Sequence, residues 1–346
     1  MRVLALETSC DETSAAVVTR DGGRVRLDGL AILSQDVHRI FGGVVPELAS
    51  RAHLSTVGPV VDLALREAGI GIEGIDGIAV TRGPGLQGAL LVGVTWAKTI
   101  AWREGLPLIG VHHLEGHLFA PTLEHADVEP PFTALLVSGG HTMLLDVPAW
   151  GEYHLLGETR DDAVGEAFDK VGTLLGLEYP AGAALERLAL EGNPARFTFP
   201  RPLMKGVAEK DQFAFSFSGL KTALLRAVQQ STDLEADRAD LARGFQDAAI
   251  EVLVTKTAHA ARAFGRSVVV LGGGVASNRT LTIATQQAVG AGVRVAVASP
   301  RLNTDNAAMI GAAGSWRLAN GERHGVDLDA RDLFPLPGLV TAIGVT

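Results

Sequence analysis

The sequence predicts an α/β fold built as two similar halves, and three observations carry that expectation. The chain opens as a strand, a small polar turn and a second strand: Val3–Leu6, then Glu7 to Ser14, then Ala15–Val18. The pattern returns about 130 residues later, where Ala134–Val137 runs into Ser138-Gly139-Gly140-His141-Thr142 and out through Met143–Leu145. Recurrence of a whole strand–tip–strand unit is the mark of internal duplication. In each half a short apolar strand then passes through a glycine-rich turn into a helix. Strands of that kind are buried on both faces of a sheet.

Taken in order, the first tip offers backbone N–H groups, hydroxyls and the carboxylates Glu7, Asp11 and Glu12. Ile78–Val80 leads through Thr81–Gly88 into a helix from Ala89 to about Trp102, and Val268–Leu271 leads through Gly272–Asn278 into a helix from about Arg279. Neither turn is a Walker A sequence or a dinucleotide fingerprint. Between the halves lies His112-His113-Leu114-Glu115-Gly116-His117. Residues four apart share a helix face, so His113 and His117 are candidate ligands of one metal ion. Glu115 falls roughly 200° around the helix from His113, away from that ion. This placement argues against a zinc-protease motif, whose glutamate directly follows the first histidine. A helix with two hydrogen-bonded histidines fits the spacing equally well.

Asp161 to Gly172 reads as a further helix, with Val164, Phe168, Val171 and Leu175 as its apolar stripe. Gly165, Asp169, Gly172 and Gly176 make a second face, and each glycine costs a helix about 1 kcal/mol relative to alanine. Something packs very close there: either another helix, or a ligand whose ribose hydroxyls Asp169 would accept.

Composition sets the outer bounds. A chain of 346 residues exceeds one usual hydrophobic core, so two lobes are expected. The single cysteine excludes an internal disulfide framework, and no signal-peptide pattern precedes the first strand, which together favour a cytoplasmic protein. The longest apolar run, Ala89–Val94, is too short to span a bilayer. A net charge of −9 opposes simple nucleic-acid binding. Charge is segregated, however: Arg196, Arg201, Lys205, Lys210, Lys221 and Arg226 stand against only Glu209 and Asp211. Phe197, Phe199, Phe213, Phe215 and Phe217 are interleaved with them, as a core beneath a solvated face or as a platform for a polyanion.

Seven ordered motifs complete the reading: Glu7 to Thr13, His113 to His117, Val137 to Thr142, Phe168 to Gly172, Phe215 to Thr222, Gly272 to Asn278 and Thr304-Asp305-Asn306. Together they resemble the bacterial tRNA N6-adenosine threonylcarbamoyltransferases, once described as O-sialoglycoprotein endopeptidases. The resemblance runs from Met1 to about Arg317 and leaves the tail after about Gly321 less distinctive.

It implies the duplicated fold of actin, sugar kinases and heat-shock chaperone ATPases, two lobes around a nucleotide cleft. One lobe would comprise residues 1–130 with 305–330, carrying the metal and docking a partner; the other, residues 131–304, would bind the adenylate. It also implies transfer of threonylcarbamoyl from threonylcarbamoyl-adenylate to N6 of the adenosine 3′ of the anticodon in tRNAs reading codons that begin with A. His113, His117 and Asp305 would hold one divalent metal, usually iron, with zinc also suited. Leu136, Val137, Ser138, Gly139, Gly140, Asp169, Gly182 and Asn278 would hold the adenylate. Asp11 and Glu12 are the candidates for accepting the amine proton, or for merely orienting the turn. The implied partners are tRNA, an inactive paralogue forming a heterodimer and a small ATPase, with no membrane. A kinase or carbamoyltransferase of the same fold, or a non-catalytic nucleotide-binding regulatory module, are the alternatives.

Overall fold

The computed structural model describes residues 1–341, apart from the side chain of Lys210, as two compact units: Met1–Glu129 with Ala298–Pro337, and Pro130–Val297 with the chain from Gly338 onward.

The first unit begins with β1 (Arg2–Glu7), β2 (Glu12–Asp21) and β3 (Arg24–Ser34), followed by α1 (Pro46–Ala68), β4 (Gly77–Gly83), α2 (Gln87–Glu104), β5 (Leu108–His112) and α3 (His113–Phe119). Its sheet has the order β3-β2-β1-β4-β5. The β1–β2 and β2–β3 pairs are antiparallel, and β1–β4 and β4–β5 are parallel. Val3, Leu4, Ala5 and Leu6 are all fully buried, as an uninterrupted apolar run requires.

In the second unit β6 (Phe132–Val137), β7 (Thr142–Ala149) and β8 (Glu152–Glu158) precede four helices. These are α4 (Val164–Leu174), α5 (Gly182–Glu191), α6 (Ser218–Gln230) and α7 (Leu234–Ala263). Then come β9 (Val268–Gly272), α8 (Arg279–Val289) and β10 (Arg294–Val297). The chain re-enters the first unit for α9 (Pro300–Asn303) and α10 (Ala307–Ala319) and ends its described part with β11 (Leu339–Thr341) on the second sheet. That sheet has the order β10-β9-β6-β7-β8-β11. Reversed and without its edge strand β11, this is the first sheet again, with β6 for β1, β7 for β2 and β9 for β4. The strand directions correspond as well. The duplication expected from two strand–tip–strand units is therefore a duplication of five strands.

Helix α10 packs on the first sheet through glycines: a Cβ on Gly311 would meet Val18 and Ala5, and one on Gly314 would meet Ala79. In the second unit Phe199, Phe213, Phe215 and Phe217 join one core with Phe168 and Phe245, so these phenylalanines are core rather than a stacking platform. The charges above them are largely spent. Arg196 pairs with Asp237 and Asp240, Arg201 with Glu251 and Lys221 with Asp162, leaving Lys205 and Arg226 exposed without ion pairs among the described residues. The side chain of Lys210, the other lysine of that stretch, lies outside what is described.

The helix expected from Asp161 starts only at Val164. Asp161 is instead drawn to the start of α6, accepting from the backbone N–H groups of Phe217 and Ser218 and from the hydroxyls of Ser216 and Ser218. At the other end Gly176 lies beyond the helix with φ +73, and Leu177 N donates to Gly172 O, which is the left-handed stop that glycine favours. No helix among the described residues is long and apolar enough to cross a membrane.

Candidate functional site

The structure brings His113, His117 and Asp305 together within the first unit, their ligand atoms all within 4.8 Å of one another. Strand β5 runs straight into α3, whose entry is capped by His112 accepting from Leu114 N at 3.2 Å. This fixes the helix phase, and the two imidazoles four residues apart stand edge to face with centroids 4.8 Å apart. Asp305 arrives just ahead of α10, where Asn306 caps the helix by accepting from Met309 N. Its Oδ1 lies 3.4 Å from His113 Nε2 and 3.3 Å from His117 Nε2.

Three observations fit this cluster to a metal ion. Both ring nitrogens of His117 are buried and neither has a hydrogen bond among the described residues, although Asp305 Oδ1 lies 3.3 Å from Nε2. A buried imidazole left so would be costly without a ligand. The inward nitrogen of His113 faces Asp305 while its Nδ1 is backed by Glu7 Oε2 at 3.2 Å and Ser9 Oγ at 3.3 Å. A carboxylate behind a histidine is the support that orients a metal ligand and raises its basicity. Finally, two imidazoles and one carboxylate suit iron or zinc better than magnesium.

The charges bear on that reading, since a metal bound here would displace the proton that His113 holds. Burial alone would favour neutral forms. The attraction of His113 nevertheless holds Asp305 far below the usual carboxylate range, and Asp305 with Glu7 holds His113 well above the usual imidazole value. Burial keeps His117 low, and therefore neutral and able to ligate. At the first tip, burial and then the charges of Asp305 and Asp11 push Glu12 up to about 9. Carboxylates crowded closely enough to keep one of them protonated are what a cation would let ionise.

Glu115 is accounted for separately. It is fully buried on the other side of α3, where Arg317 of α10 holds it in two-pronged fashion, Nε to Oε2 at 2.6 Å and Nη2 to Oε1 at 2.7 Å. It is not placed to serve as a protease base. Burial and the neighbouring Asp11 push the Cys10 thiol up, so it is no ready nucleophile.

The residues expected around an adenylate all lie in the second unit. Leu136 and Val137 end β6, and Ser138 to His141 form a tight turn, with Ser138 N donating to His141 O at 2.9 Å and His141 N to Ser138 Oγ at 3.1 Å. Gly139, Gly140, Gly182 and Gly274 face open space, with nothing within 4 Å of where a Cβ would stand. The glycine face of α4 is different, since the chain itself fills it. Gly165 abuts Ser138 and Gly139, and Gly172 abuts Ala181. Asp169 Oδ1 accepts from Ala181 N at 2.8 Å and so holds the start of α5. Asn278 is likewise engaged, its Oδ1 capping α8 through Leu281 N and its Nδ2 donating to Gln246. Sequence reasoning gave Glu7 no role behind His113. The signal available was an acid at the end of an otherwise apolar strand.

The class of protein that this fold and site define is a duplicated five-strand α/β scaffold carrying a histidine–histidine–carboxylate cluster as a candidate metal centre. Residues 29–312 match the family profile described as TsaD, tRNA N6-adenosine threonylcarbamoyltransferase. A protein of that name from Gemmatimonas aurantiaca is 56% identical over 353 residues, covering 98% of each chain. The chain belongs to the tRNA N6-adenosine threonylcarbamoyltransferase family. Among solved structures, HypF of T. kodakarensis aligns with TM-score 0.59 at 15% identity, over 92% of this chain and 48% of that one. Component A of the Acidaminococcus fermentans (R)-2-hydroxyglutaryl-CoA dehydratase aligns with TM-score 0.55 at 14% identity, over 92% and 99%. At such identities these two speak for the fold alone.

Proposed function

We propose that this chain transfers the threonylcarbamoyl group from threonylcarbamoyl-adenylate to N6 of the adenosine 3′ of the anticodon in tRNAs reading codons that begin with A, releasing AMP. The observation that carries the reading is the His113–His117–Asp305 cluster within a chain of this family. The donor is a mixed carbamic–phosphoric anhydride, so AMP leaves readily and no covalent enzyme intermediate is needed. The difficulty lies in the acceptor, an exocyclic amine whose lone pair is delocalised into the adenine ring. The N6–carbonyl bond forms as the carbonyl–phosphate oxygen bond breaks, and the amine gives up a proton.

His113, His117 and Asp305 would hold one divalent metal, iron by preference and zinc as the second choice. When bound, the ion would polarise the carbonyl or phosphate and supply the positive charge that keeps nearby carboxylates ionised. Glu7 holds His113 in the orientation this requires. Asp11 and Glu12 are the groups assigned to accept the amine proton. The second unit would hold the adenylate through Leu136 to Gly140, Asp169, Gly182 and Asn278, where the open glycines let backbone N–H groups approach a phosphate. In this reading Asp169 and Asn278 act chiefly by fixing the starts of α5 and α8, and the ribose takes whatever hydrogen-bonding capacity remains to them.

Binding of tRNA would draw on Lys205 and Arg226 together with surface supplied by a partner, because the rest of the described basic stretch is already paired. The first unit would dock an inactive paralogue, with a small ATPase completing a cytoplasmic assembly. Leu54 and Leu63, exposed on α1, support that placement. The test is incubation with threonylcarbamoyl-adenylate and unmodified tRNA, followed by nucleoside analysis. Threonylcarbamoyladenosine with equimolar AMP is the expected result. Neither product, or ADP formed from added ATP and a small molecule, would overturn the proposal.

A further inference from the structure

The tip between β1 and β2 is held in two halves by different parts of the first unit. Its first half is tied to β4–α2: Leu86 N donates to Ser9 O at 2.8 Å, and Thr8 Oγ1 donates to Ala89 O at 2.9 Å. Its second half, which leads to Asp11 and Glu12, is tied elsewhere. Gln35 N, just past β3, donates to Asp11 O at 3.1 Å, and His53 of α1 donates from Nε2 to Cys10 O at 2.9 Å.

His53 is an unusual occupant of its place. The buried face of α1 runs Ala49, His53, Val57, Val60, Val61 and Ala64, so one imidazole, fully buried, interrupts an apolar stripe. Both its nitrogens have defined partners. The Cys10 carbonyl can only accept, which puts the hydrogen on Nε2, and Nδ1 accepts from Thr13 Oγ1 at 2.8 Å. Thr13 is in turn 2.9 Å from Thr56 Oγ1 one turn along α1. Burial lowers the pKa of this imidazole, in keeping with a neutral ring that donates once and accepts once. A buried polar group of this kind costs more than an apolar one would unless it fixes something. What it fixes is the backbone at Cys10.

We infer that His53 is a positioning residue: by bridging Cys10 O and Thr13 Oγ1 from α1 it sets the conformation of the tip that presents Asp11 and Glu12. The part of this inference that concerns transfer rests on the function proposed above. The part that concerns the tip does not, and the molecule carries its own reporter, because Cys10 is the single cysteine and sits at the bridged carbonyl.

The test is the rate of Cys10 alkylation by iodoacetamide in the full chain, alongside transfer kinetics and metal content. His53→Leu, which can neither donate nor accept, should speed alkylation at least about tenfold. It should also lower kcat by a similar factor, with KM for adenylate and tRNA and the metal content unchanged. His53→Gln, whose amide both donates and accepts, should restore most of both. Should His53→Leu fail to fold, Thr13→Val removes the donor to Nδ1 while leaving the sequence of α1 unchanged and should speed alkylation severalfold. An unchanged alkylation rate in the folded Leu variant, or a Gln variant no better than Leu, would overturn the assignment. Absence of transfer in the parent protein would instead count against the transferase reading, while alkylation would still decide the role of His53.

Discussion

The two hairpin tips, Glu7–Glu12 and Val137–Thr142, occupy equivalent places in two sheets of the same strand order, yet their chemistry is opposite. The first tip is crowded with acids. Glu7 is buried behind a histidine, Glu12 is pushed up to about 9, and hydrogen bonds from α1, α2 and the end of β3 hold the backbone. The second tip has no carboxylate, closes on itself through Ser138 and His141, and leaves two glycines bare. The strands decide where a tip is presented. Its side chains decide whether a cation or an anion is welcome there.

The strongest way to break this contrast is to empty the first unit and leave the second intact. The double variant His113→Ala/His117→Ala should lose more than about 100-fold in metal affinity, since even supporting residues alone are worth 10–100-fold. Elemental analysis checks the loss, and AMP binding by calorimetry should stay unaltered. A metal content equal to the parent's would sink the ligand assignment. Next in size is Glu7→Gln, which keeps the shape of the tip but removes the charge behind His113. Metal titration should show affinity weakened by about 10-fold or more, and full retention would mean that Glu7 serves only to accept from Ser9 N and Thr81 Oγ1. In the second unit, Asp169→Ala should weaken AMP binding by about 1–3 kcal/mol, because α5 loses the acceptor that fixes its start. Metal content should not move, and calorimetry showing equal affinity would place the nucleotide away from α5.

The smallest expected effect concerns acidity. The second unit's tip lacks a titrating acid, and its buried base lies elsewhere: burial lowers Lys256 to about 8, with its Nζ donating to Gln212 O at 2.7 Å. Below pH 8 the folded state bears the full cost of holding that charge. As pH rises from 8 towards the unfolded value of 10.5, the folded protein gives up the proton first, so stability should rise. Relative to Lys256→Met, the gain should be on the order of 1 kcal/mol, read from urea unfolding at pH 7 and pH 10. Identical pH dependence in both proteins would show that the amine is reached by water.

Much of this was legible in the residues. Apolar runs such as Val3–Leu6 and Val268–Leu271 could only be buried strands, and the repeated strand–tip–strand unit announced the duplication. The spacing of His113 and His117, with Glu115 on the far face, held up as geometry because a short helix has little freedom once its phase is set. Long-range pairings were harder to read. No local pattern says that Arg317 will find Glu115, 202 positions away, or that Asp237 and Glu251 will claim the arginines of the basic stretch. The glycine face of α4 left two readings open for a related reason. Glycine signals close approach but does not say whether a ligand or the chain itself approaches, and here Ser138 and Ala181 do. His53 was visible only as a polar interruption in an apolar stripe, and its meaning depends on a carbonyl 43 residues away.

The chain leaves its first unit at Glu129 and returns at Ala298, after the whole of β6 to β10 has been laid down. On the ribosome this order has a consequence. The sheet of β1 to β5 emerges early but must wait for α10, whose glycines close one of its faces, and α3 waits with it for Arg317 and Asp305. The second-made unit can therefore complete most of its core before the first-made one. A nascent chain arrested near residue 297 would expose the bare face of an unfinished sheet, with two histidines still lacking their carboxylate. What is translated after position 297 thus finishes the unit whose sheet was made first.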